Sequence, residues 1–596
     1  MARAATFQPR EQPLHLRQVL DLLVADGLIT PEQAKPVAAA PRAERDTTHP
    51  LIIVARCDWT SAKPPGSKLT LEALVQWLAG KSGLPYLHID PLAVDVAQAT
   101  AMVPYAYAAR SNILPIRASA TEAVIATADP FERQWERELR PILKRDIKRV
   151  LANPQDITRY RVEFYALAHS VKAGEEQHGK PSLPGVQNLE QMMELGKAGK
   201  LDANDSHIVS IVDWLLQYAF NQRASDIHLE PRREQGNIRF RIDGVLHDVY
   251  QIPAGVMGAV NSRIKILARL DLAEKRRPQD GRVKTRSPDG REVELRVSTL
   301  PTAFGEKLVL RIFDPDVFLR DFTHLGFSPA DAARWGAMVR EPNGIVLVTG
   351  PTGSGKTTTL YSTLKSLATT EVNVCTIEDP IELIEPSFNQ MQVNAAIELS
   401  FAMGVRALLR QDPDIIMVGE IRDLETAEIA AQASLTGHLV LSTLHTNDAP
   451  SALTRMIDLG VQPYLIRATL LGVAAQRLVR KLCPRCKEEV DLNPKRWREL
   501  TGGWNLAVPK TVFEAVGCLE CRDTGYYGRT ALYEMMPMSR AVKDLLVDGA
   551  DYRKLRDAAI KAGMMPLRVA GAEKVAAGVT SVEEVLKNTP SGGLGE

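Results

Sequence analysis

The sequence contains no long uncharged apolar run and no strong excess of either charge. Across its 596 residues no window of about 18 residues is apolar throughout, so we expect no membrane-spanning helix. Residues 1–11 lack the apolar core of a signal peptide, which predicts a cytoplasmic protein. The formal net charge is +1, so the composition implies no general attraction to nucleic acid or acidic lipid.

Cysteine is also scarce, but four of the six cysteines form two close pairs. Cys483 pairs with Cys486, and Cys518 with Cys521, each in the CxxC spacing of zinc ligands. The segment between the pairs is longer than usual, yet loop-closure entropy grows only logarithmically with length. Two disulfides are the alternative, which a cytoplasmic location disfavours. We predict a structural zinc site, because four protein ligands leave no open position for catalysis.

The most informative motif is a phosphate loop, GxxxxGK[ST], between an apolar β-branched segment and a predicted helix. A chance glycine-rich turn is the alternative, which the flanking strand and helix argue against. Lys356 is expected to reach the β- and γ-phosphates and the Thr357 hydroxyl to ligate Mg²⁺. The motif predicts binding of a nucleoside triphosphate by Gly350, Pro351, Thr352, Gly353, Ser354, Gly355, Lys356, Thr357 and Thr358.

Three further apolar segments end in polar residues, at the spacing of an α/β fold. Because ligands sit at the carboxyl ends of strands in open parallel sheets, we expect these ends to converge on the phosphates. Glu378 and Asp379 could instead cap the next segment, and His438 is more often structural. The candidate residues are Glu382 after the first segment, Glu420 after the second and His445 after the third.

These motifs resemble a known family. The segments GPTGSGKTTTLY, TIEDPIE, DPDIIMVGEIRD and GHLVLSTLHTN are similar to the four signature motifs of secretion-superfamily ATPases. Those hexameric motors drive type II secretion and type IV pilus assembly. The resemblance extends to ASDIH, RFRIDG, PQDGR and LRVSTL upstream, and covers roughly residues 200–590.

The resemblance implies roles for single residues. It assigns Glu382 to polarising the attacking water, Glu420 to holding Mg²⁺ through water, and His445 to linking the γ-phosphate to subunit rearrangement. It also places arginine fingers on the module before the motor domain. The matching candidates are Arg282, Arg296 and Arg311, for each of which a strand-surface ion pair is the alternative.

The predicted fold class is α/β multidomain, with a RecA-like ATPase core behind a PAS-like α+β middle domain. An amphipathic helix is expected from residue 16 to 25, and a hairpin turn at Asp243-Gly244. The residues at 16–18 read Leu-Arg-Gln without the glycine of the cyclic di-GMP motif, so partner docking is preferred for the N-terminal domain. The expected regions are docking domain 1–165, flexible linker 166–200, middle domain 201–322, ATPase domain 323–480, zinc insertion 481–530 and helical C-terminus 531–596.

The sequence therefore predicts a cytoplasmic, homohexameric, Mg²⁺-dependent ATPase that docks on inner-membrane partners. ATP is expected between the middle module and the motor domain. The preferred machine is the type II secretion system, with type IV pilus extension as the alternative; the tetracysteine insertion argues against a retraction motor. A nucleic-acid translocase is a further alternative, which the near-neutral charge and the lack of a stacking platform disfavour. The last alternative is a scaffold that binds nucleotide without hydrolysing it.

Overall fold

The structure, a computed structural model, describes residues 13–39, 48–62, 68–89, 94–178, 203–287, 290–313, 321–504 and 506–590. The chain divides into two units, Met1–Arg311 and Ile312–Glu596. Helices and sheets occur in both units, so the predicted α/β multidomain class is confirmed. Within the described ranges, no helix has the length and apolar character needed to cross a membrane.

The N-terminal region of the first unit packs helices around a small sheet. The predicted amphipathic helix is present from Leu16 to Ala25, and it buries Val19 and Leu23 on one face. In the sheet, β1 pairs antiparallel with β2, which pairs parallel with β3. The elements are α1 (Leu16–Ala25), α2 (Pro31–Ala39), α3 (Pro50–Arg56), α4 (Leu71–Ser82), α5 (Val96–Met102), α6 (Tyr105–Arg110), β1 (Ile113–Ala118), β2 (Glu122–Thr127), α7 (Gln134–Leu143), β3 (Asp146–Leu151) and α8 (Pro154–His178).

The start of the predicted linker is corrected by helix α8. The linker was expected from residue 166, whereas α8 continues to His178. After Pro154 the helix contains no proline, and its first glycine is Gly174, so nothing in the sequence stops it at 166. The remainder of the predicted linker, from 179, lies outside the described residues.

The middle region carries a six-stranded sheet in the order β6-β5-β4-β9-β8-β7. The predicted hairpin is confirmed: Ile242 pairs with Val245, and Asp243 and Gly244 both have positive φ, at 49° and 87°. The PAS-like classification stays a prediction. The elements are α9 (Ser206–Asn221), β4 (Ala224–Pro231), β5 (Gln235–Ile242), β6 (Val245–Pro253), α10 (Ala254–Leu267), β7 (Gln279–Arg286), β8 (Glu292–Thr302) and β9 (Gly305–Phe313).

The second unit is built on a seven-stranded sheet in the order β12-β11-β13-β14-β10-β15-β18. Neighbouring strands are parallel except β15 and β18. The strands of this unit, including the separate antiparallel pair β16–β17, are β10 (Gly344–Thr349), β11 (Val374–Glu378), β12 (Asn389–Gln392), β13 (Ile415–Val418), β14 (Leu439–Leu444), β15 (Leu470–Leu482), β16 (Glu488–Asp491), β17 (Thr511–Glu514) and β18 (Tyr526–Pro537).

Helices cover both faces of this sheet. On β10, Ile345 and Leu347 join one hydrophobic cluster while Val346 and Val348 join the other, which explains the uninterrupted apolar run. The helices are α11 (Phe322–Leu325), α12 (Pro329–Val339), α13 (Lys356–Leu367), α14 (Phe401–Leu408), α15 (Leu424–Leu435), α16 (Ala449–Asp458), α17 (Pro463–Thr469), α18 (Pro494–Thr501), α19 (Arg540–Asp544), α20 (Tyr552–Lys561), α21 (Leu567–Ala576) and α22 (Val582–Asn588).

A buried carboxylate on β18 joins two of these helices to the sheet. Glu534 accepts hydrogen bonds from the backbone N–H of Ala449 (2.8 Å) and of Leu567 (3.2 Å). These are the first residues of α16 and α21, so one side chain satisfies a donor at each helix N-terminus. Burial raises the pKa of Glu534 to about 7.

Candidate functional site

The phosphate loop connects the end of β10 to the start of α13. Gly350, Gly353 and Gly355 all have positive φ. At Gly350 a Cβ would also lie 2.5 Å from the Gln476 carbonyl oxygen, and at Gly355 it would lie 2.8 Å from the movable Gln476 Nε2. The turn favours glycine at all three positions, and the close approach of the β15 backbone adds a second reason at Gly350.

The loop presents polar groups suited to an anion. The first residue of α13 is Lys356, and the Gly355 N-cap offers no side chain to the N–H groups of the first turn. The Ser354 hydroxyl is buried and has no hydrogen-bond partner within the described part of the chain. An unsatisfied buried hydroxyl and a helix N-terminus at one place fit the phosphate site predicted from the sequence.

Lys356 is folded into this loop. Its Nζ donates to the carbonyl oxygens of Gly350 (2.9 Å) and Pro351 (3.2 Å). Burial lowers its pKa to about 8, Glu420 acts in the opposite direction, and the charge of Arg477 lowers it further.

The ends of β10, β13 and β14 are tied together beside the loop, while the convergence of the end of β11 on the same place stays a prediction. Thr446 donates its backbone N–H to the hydroxyl of Thr349 at 2.9 Å, which ties the segment after β14 to the end of β10. The Ser442 hydroxyl bonds to the Val418 carbonyl at 2.7 Å and ties β14 to β13. This edge of the sheet therefore holds the loop, Glu420 and the residues after β14 together.

Glu420 and His445 are brought into direct contact. The His445 Nε2 lies 3.4 Å from Oε2 of Glu420, while Arg422 binds Oε1 of the same carboxylate. A second acidic group, Asp379, lies 3.9 Å from Arg422. The hydrogen bond to Glu420 raises the pKa of Arg422. Arg422 was not among the residues predicted from the sequence, although its place two residues after Glu420 in the same motif was a signal.

The two glutamates near the end of β11 differ in their surroundings. Glu378 is buried and accepts hydrogen bonds from the hydroxyls of Tyr361 (2.6 Å) and Thr376 (2.7 Å), so its carboxylate is already engaged. Glu382 is half-buried in the segment after β11. Burial, and then the charges of Glu378 and Glu382, raise the pKa of Tyr361. The water-polarising role of Glu382 stays a prediction.

The candidate arginines of the middle region lie on its sheet. Arg282 on β7 is directly opposite Arg296 on β8. The Arg282 Nη1 lies 3.3 Å from a Glu294 carboxylate oxygen, and the Arg311 Nε lies 2.9 Å from Asp226. Two of the three candidates thus make the ion pairs expected of the alternative, and the finger role stays a prediction for all three.

The four paired cysteines form one cluster. The Sγ atoms are 3.9 Å apart for Cys483 and Cys518, and 3.7 Å apart for Cys486 and Cys521. Tetrahedral zinc with Zn–S bonds of about 2.3 Å requires sulfurs about 3.8 Å apart, so the cluster fits zinc. None of the four is in a disulfide. The N–H of Gly525 also points to Cys521 Sγ at 3.2 Å, the kind of contact that orients a ligand.

A buried arginine at the base of the loop was missed in the sequence. Arg477 on β15 donates from Nη2 to the backbone oxygen of Asn447 at 2.8 Å and to its side-chain oxygen at 3.2 Å. Burial lowers the pKa of Arg477. A charged residue within the mostly apolar stretch 470–479 was the available signal, but nothing in the sequence indicated that β15 neighbours β10.

Comparison with known proteins adds an independent observation. The family model described as type II/IV secretion system protein matches residues 202–587, and that of the MshEN domain matches residues 82–171. The type IV pilus assembly ATPase TfpB of Acinetobacter baylyi is 53% identical over 96% of this chain and 98% of its own. The type IV pilus assembly ATPase PilB of Myxococcus xanthus is 41% identical over 87% and 91%. The type II secretion system protein E of Pseudomonas aeruginosa is 49% identical over 65% and 76%.

Proposed function

This chain belongs to the type II/IV secretion system protein family, and from that premise we propose that it is the motor of type IV pilus assembly. It is an ATPase. The observation that carries the choice of machine is the extent of the matches. The similarity to TfpB spans 96% of this chain, N-terminal region included, whereas the similarities to the type II secretion proteins of Pseudomonas aeruginosa and Vibrio cholerae cover 65% and 77%.

ATP hydrolysis would use the residues at the sheet edge. The N–H groups that begin α13 and the Lys356 ammonium would bind the phosphates, which are the negative groups that a helix N-terminus favours. Thr357, and Glu420 through water, would hold Mg²⁺, which neutralises charge on the phosphates when bound. Glu382 would orient the attacking water, and His445 would report hydrolysis from its contact with Glu420.

The motor would act as a homohexamer in the cytoplasm, at the inner membrane through the platform and docking proteins of the pilus machine. Arg282, Arg296 and Arg311 would supply positive charge to the reaction, and the tetracysteine cluster would hold a structural zinc ion. The N-terminal region would dock partners. Cyclic di-GMP stays outside the proposal because the segment beginning at Leu16 lacks the motif glycine.

Type II secretion, the machine preferred in the sequence analysis although the catalytic motifs do not separate it from pilus extension, is the second candidate. Its support is the 49% identity to type II secretion protein E across the region that holds the nucleotide site. In either machine the hydrolysis chemistry is the same, so the two candidates differ only in the structure that is assembled.

The test replaces Lys356 by alanine at the chromosomal locus of the native host. We expect loss of surface pili with normal extracellular enzymes. Lys365→Ala is the matched control, since this lysine of the same helix pairs with Glu385 outside the loop and should leave piliation intact. Loss of secreted enzymes with pili intact would replace the proposal by the second candidate. DNA-stimulated ATPase activity of the purified protein would instead indicate a translocase.

A further inference from the structure

Arg477 lies at the base of the phosphate loop, between Gly350 and the segment after β14. The side chain belongs to β15, the parallel neighbour of β10, and the residue is 7% exposed. A Cβ at Gly350 would lie only 3.1 Å from its Nη1. Its Nη2 meanwhile donates to both oxygens of Asn447. The guanidinium thus lies beside Gly350 of the loop and is hydrogen-bonded to the segment after β14.

The surroundings of Arg477 are unusual for a buried cation. Within the described part of the chain, its hydrogen bonds go to carbonyl and amide oxygens, including the Gln476 carbonyl at 3.2 Å, and to no carboxylate. Asp448 and Glu534 act on it only through their charges. The Lys356 ammonium is a second cation at the same loop. The charge of Arg477 lowers the pKa of Lys356, so the two cations interact at the loop.

The segment that Arg477 holds leads to the predicted histidine and to a helix. Asn447 lies two residues after His445 and immediately before Asp448, whose side chain caps α16 by accepting from the Ser451 N–H. Thr446 is already bonded to the end of β10. A shift of the Arg477 guanidinium would therefore move the segment between the catalytic edge and α16.

We propose that Arg477 is a positioning residue that couples phosphate in the loop to the segment His445–Asp448, and through it to α16. This inference rests on the ATPase activity. Arg477 fixes the position of the Asn447 carbonyl by donating a hydrogen bond to it, while the loop on the other side of the guanidinium would carry the charge of the phosphate. The alternative is a purely structural arginine that fills space beneath the sheet edge.

The same strand offers a matched control. Arg480 is also partly buried on β15, but it pairs with Glu584 at 2.6 Å and lies over the ring of Tyr526, away from the loop. The experiment uses the purified full chain with Arg477→Gln, Arg477→Lys and Arg480→Gln. For each we would measure kcat and KM for MgATP, the dissociation constant of a fluorescent MgADP analogue, and the melting temperature.

We expect Arg477→Gln to lower kcat about tenfold while the affinity for MgADP changes by less than about threefold, because the coupling acts on turnover rather than on resting binding. Arg477→Lys keeps the charge and should recover part of kcat. Arg480→Gln should lower the melting temperature and leave kcat close to that of the wild type. A kcat loss no larger than that of Arg480→Gln, or one matched by an equal loss of MgADP affinity, would overturn the proposal.

A second variant keeps the inference testable if Arg477→Gln does not fold. Asn447→Ala removes only an exposed side chain and its 3.2 Å hydrogen bond. When Asn447→Ala is combined with Arg477→Lys, the loss of kcat in the double variant should be smaller than the sum of the losses in the two single variants, since both substitutions act on one contact. Simple additivity would count against the coupling. Wild-type protein without Lys356-dependent ATPase would instead refute the underlying activity, whatever the Arg477 variants do.

Discussion

The His445 Nε2 lies 3.4 Å from Oε2 of Glu420, and this contact joins two strand ends that are adjacent in the sheet. The other oxygen of Glu420 is bound by Arg422, so both oxygens of one carboxylate have partners on different segments. Any group that draws Glu420 toward the phosphate loop must loosen at least one of these contacts. In the proposed function, Glu420 would therefore link events at the phosphates to the position of His445.

Glu420→Gln should lower kcat by about 10- to 100-fold, the usual cost of losing a partner that acts on a metal through water. The amide keeps the shape of the side chain but removes the charge that Arg422 and the metal would share. Steady-state ATPase assays with varied Mg²⁺ would measure the loss. Glu425→Gln serves as the control, because Glu425 is exposed and pairs with Arg406 away from the loop. Equal activities of the two variants would contradict the role of Glu420.

Nucleotide affinity should fall as the pH rises through the pKa of Lys356. Burial lowers that pKa to about 8, so the ammonium is increasingly deprotonated above this pH. Phosphate binding favours the charged form and raises the pKa, so binding above about pH 8 takes up a proton and weakens by up to about tenfold per pH unit. Calorimetric titration of MgADP in buffers of different ionisation enthalpy would detect the proton. Affinity that stays constant between about pH 7 and about pH 9 would contradict this assignment.

The cysteine cluster should bind one zinc ion per chain. Elemental analysis of purified protein should find about one equivalent, and Cys518→Ser should remove it because a tetrathiolate site needs all four sulfurs. We also expect a lower melting temperature, since metal binding contributes directly to folding. Cys57→Ser is the control, because this half-exposed cysteine lies outside the cluster. Full zinc content in Cys518→Ser would show that the sulfurs do not act as ligands.

Glu534 should make the second unit less stable as the pH rises from about 4.5 to about 7. Its folded pKa, about 7, exceeds the ordinary 4.5, so the native state binds more protons than the unfolded chain within this window. Stability is therefore highest below the unfolded pKa. Glu534→Gln should remove up to about 3 kcal/mol of this dependence, although losing one helix N-terminal hydrogen bond lowers stability at every pH. Melting curves of both proteins across this range would test it; parallel pH profiles would contradict it.

Strand-end rules are enough to predict which of the main site residues meet. Glu420, His445 and the phosphate loop could be expected to lie together because parallel strands present their carboxyl ends at one edge. The position of Arg477 beside the loop could not be predicted, because hydrophobic periodicity does not reveal the order of strands in a sheet. β15 lies next to β10 in the sheet, although four other strands separate them along the chain. The linker was predicted to begin at residue 166, whereas helix α8 continues to His178, because a polar composition alone does not break a helix.

The length of β15 limits which insertions and deletions this protein can tolerate. On β15, Gln476 contacts Thr359 of α13, and its neighbour Arg477 binds Asn447. Cys483 of the cysteine cluster follows directly after the end of the strand. Because successive side chains alternate between faces, inserting or deleting one residue here would exchange the two contacts and misplace the cysteine together. The described residues of the segment 502–510, between α18 and β17, carry no such double constraint. Insertions and deletions in related sequences should therefore occur in that segment and be rare in β15.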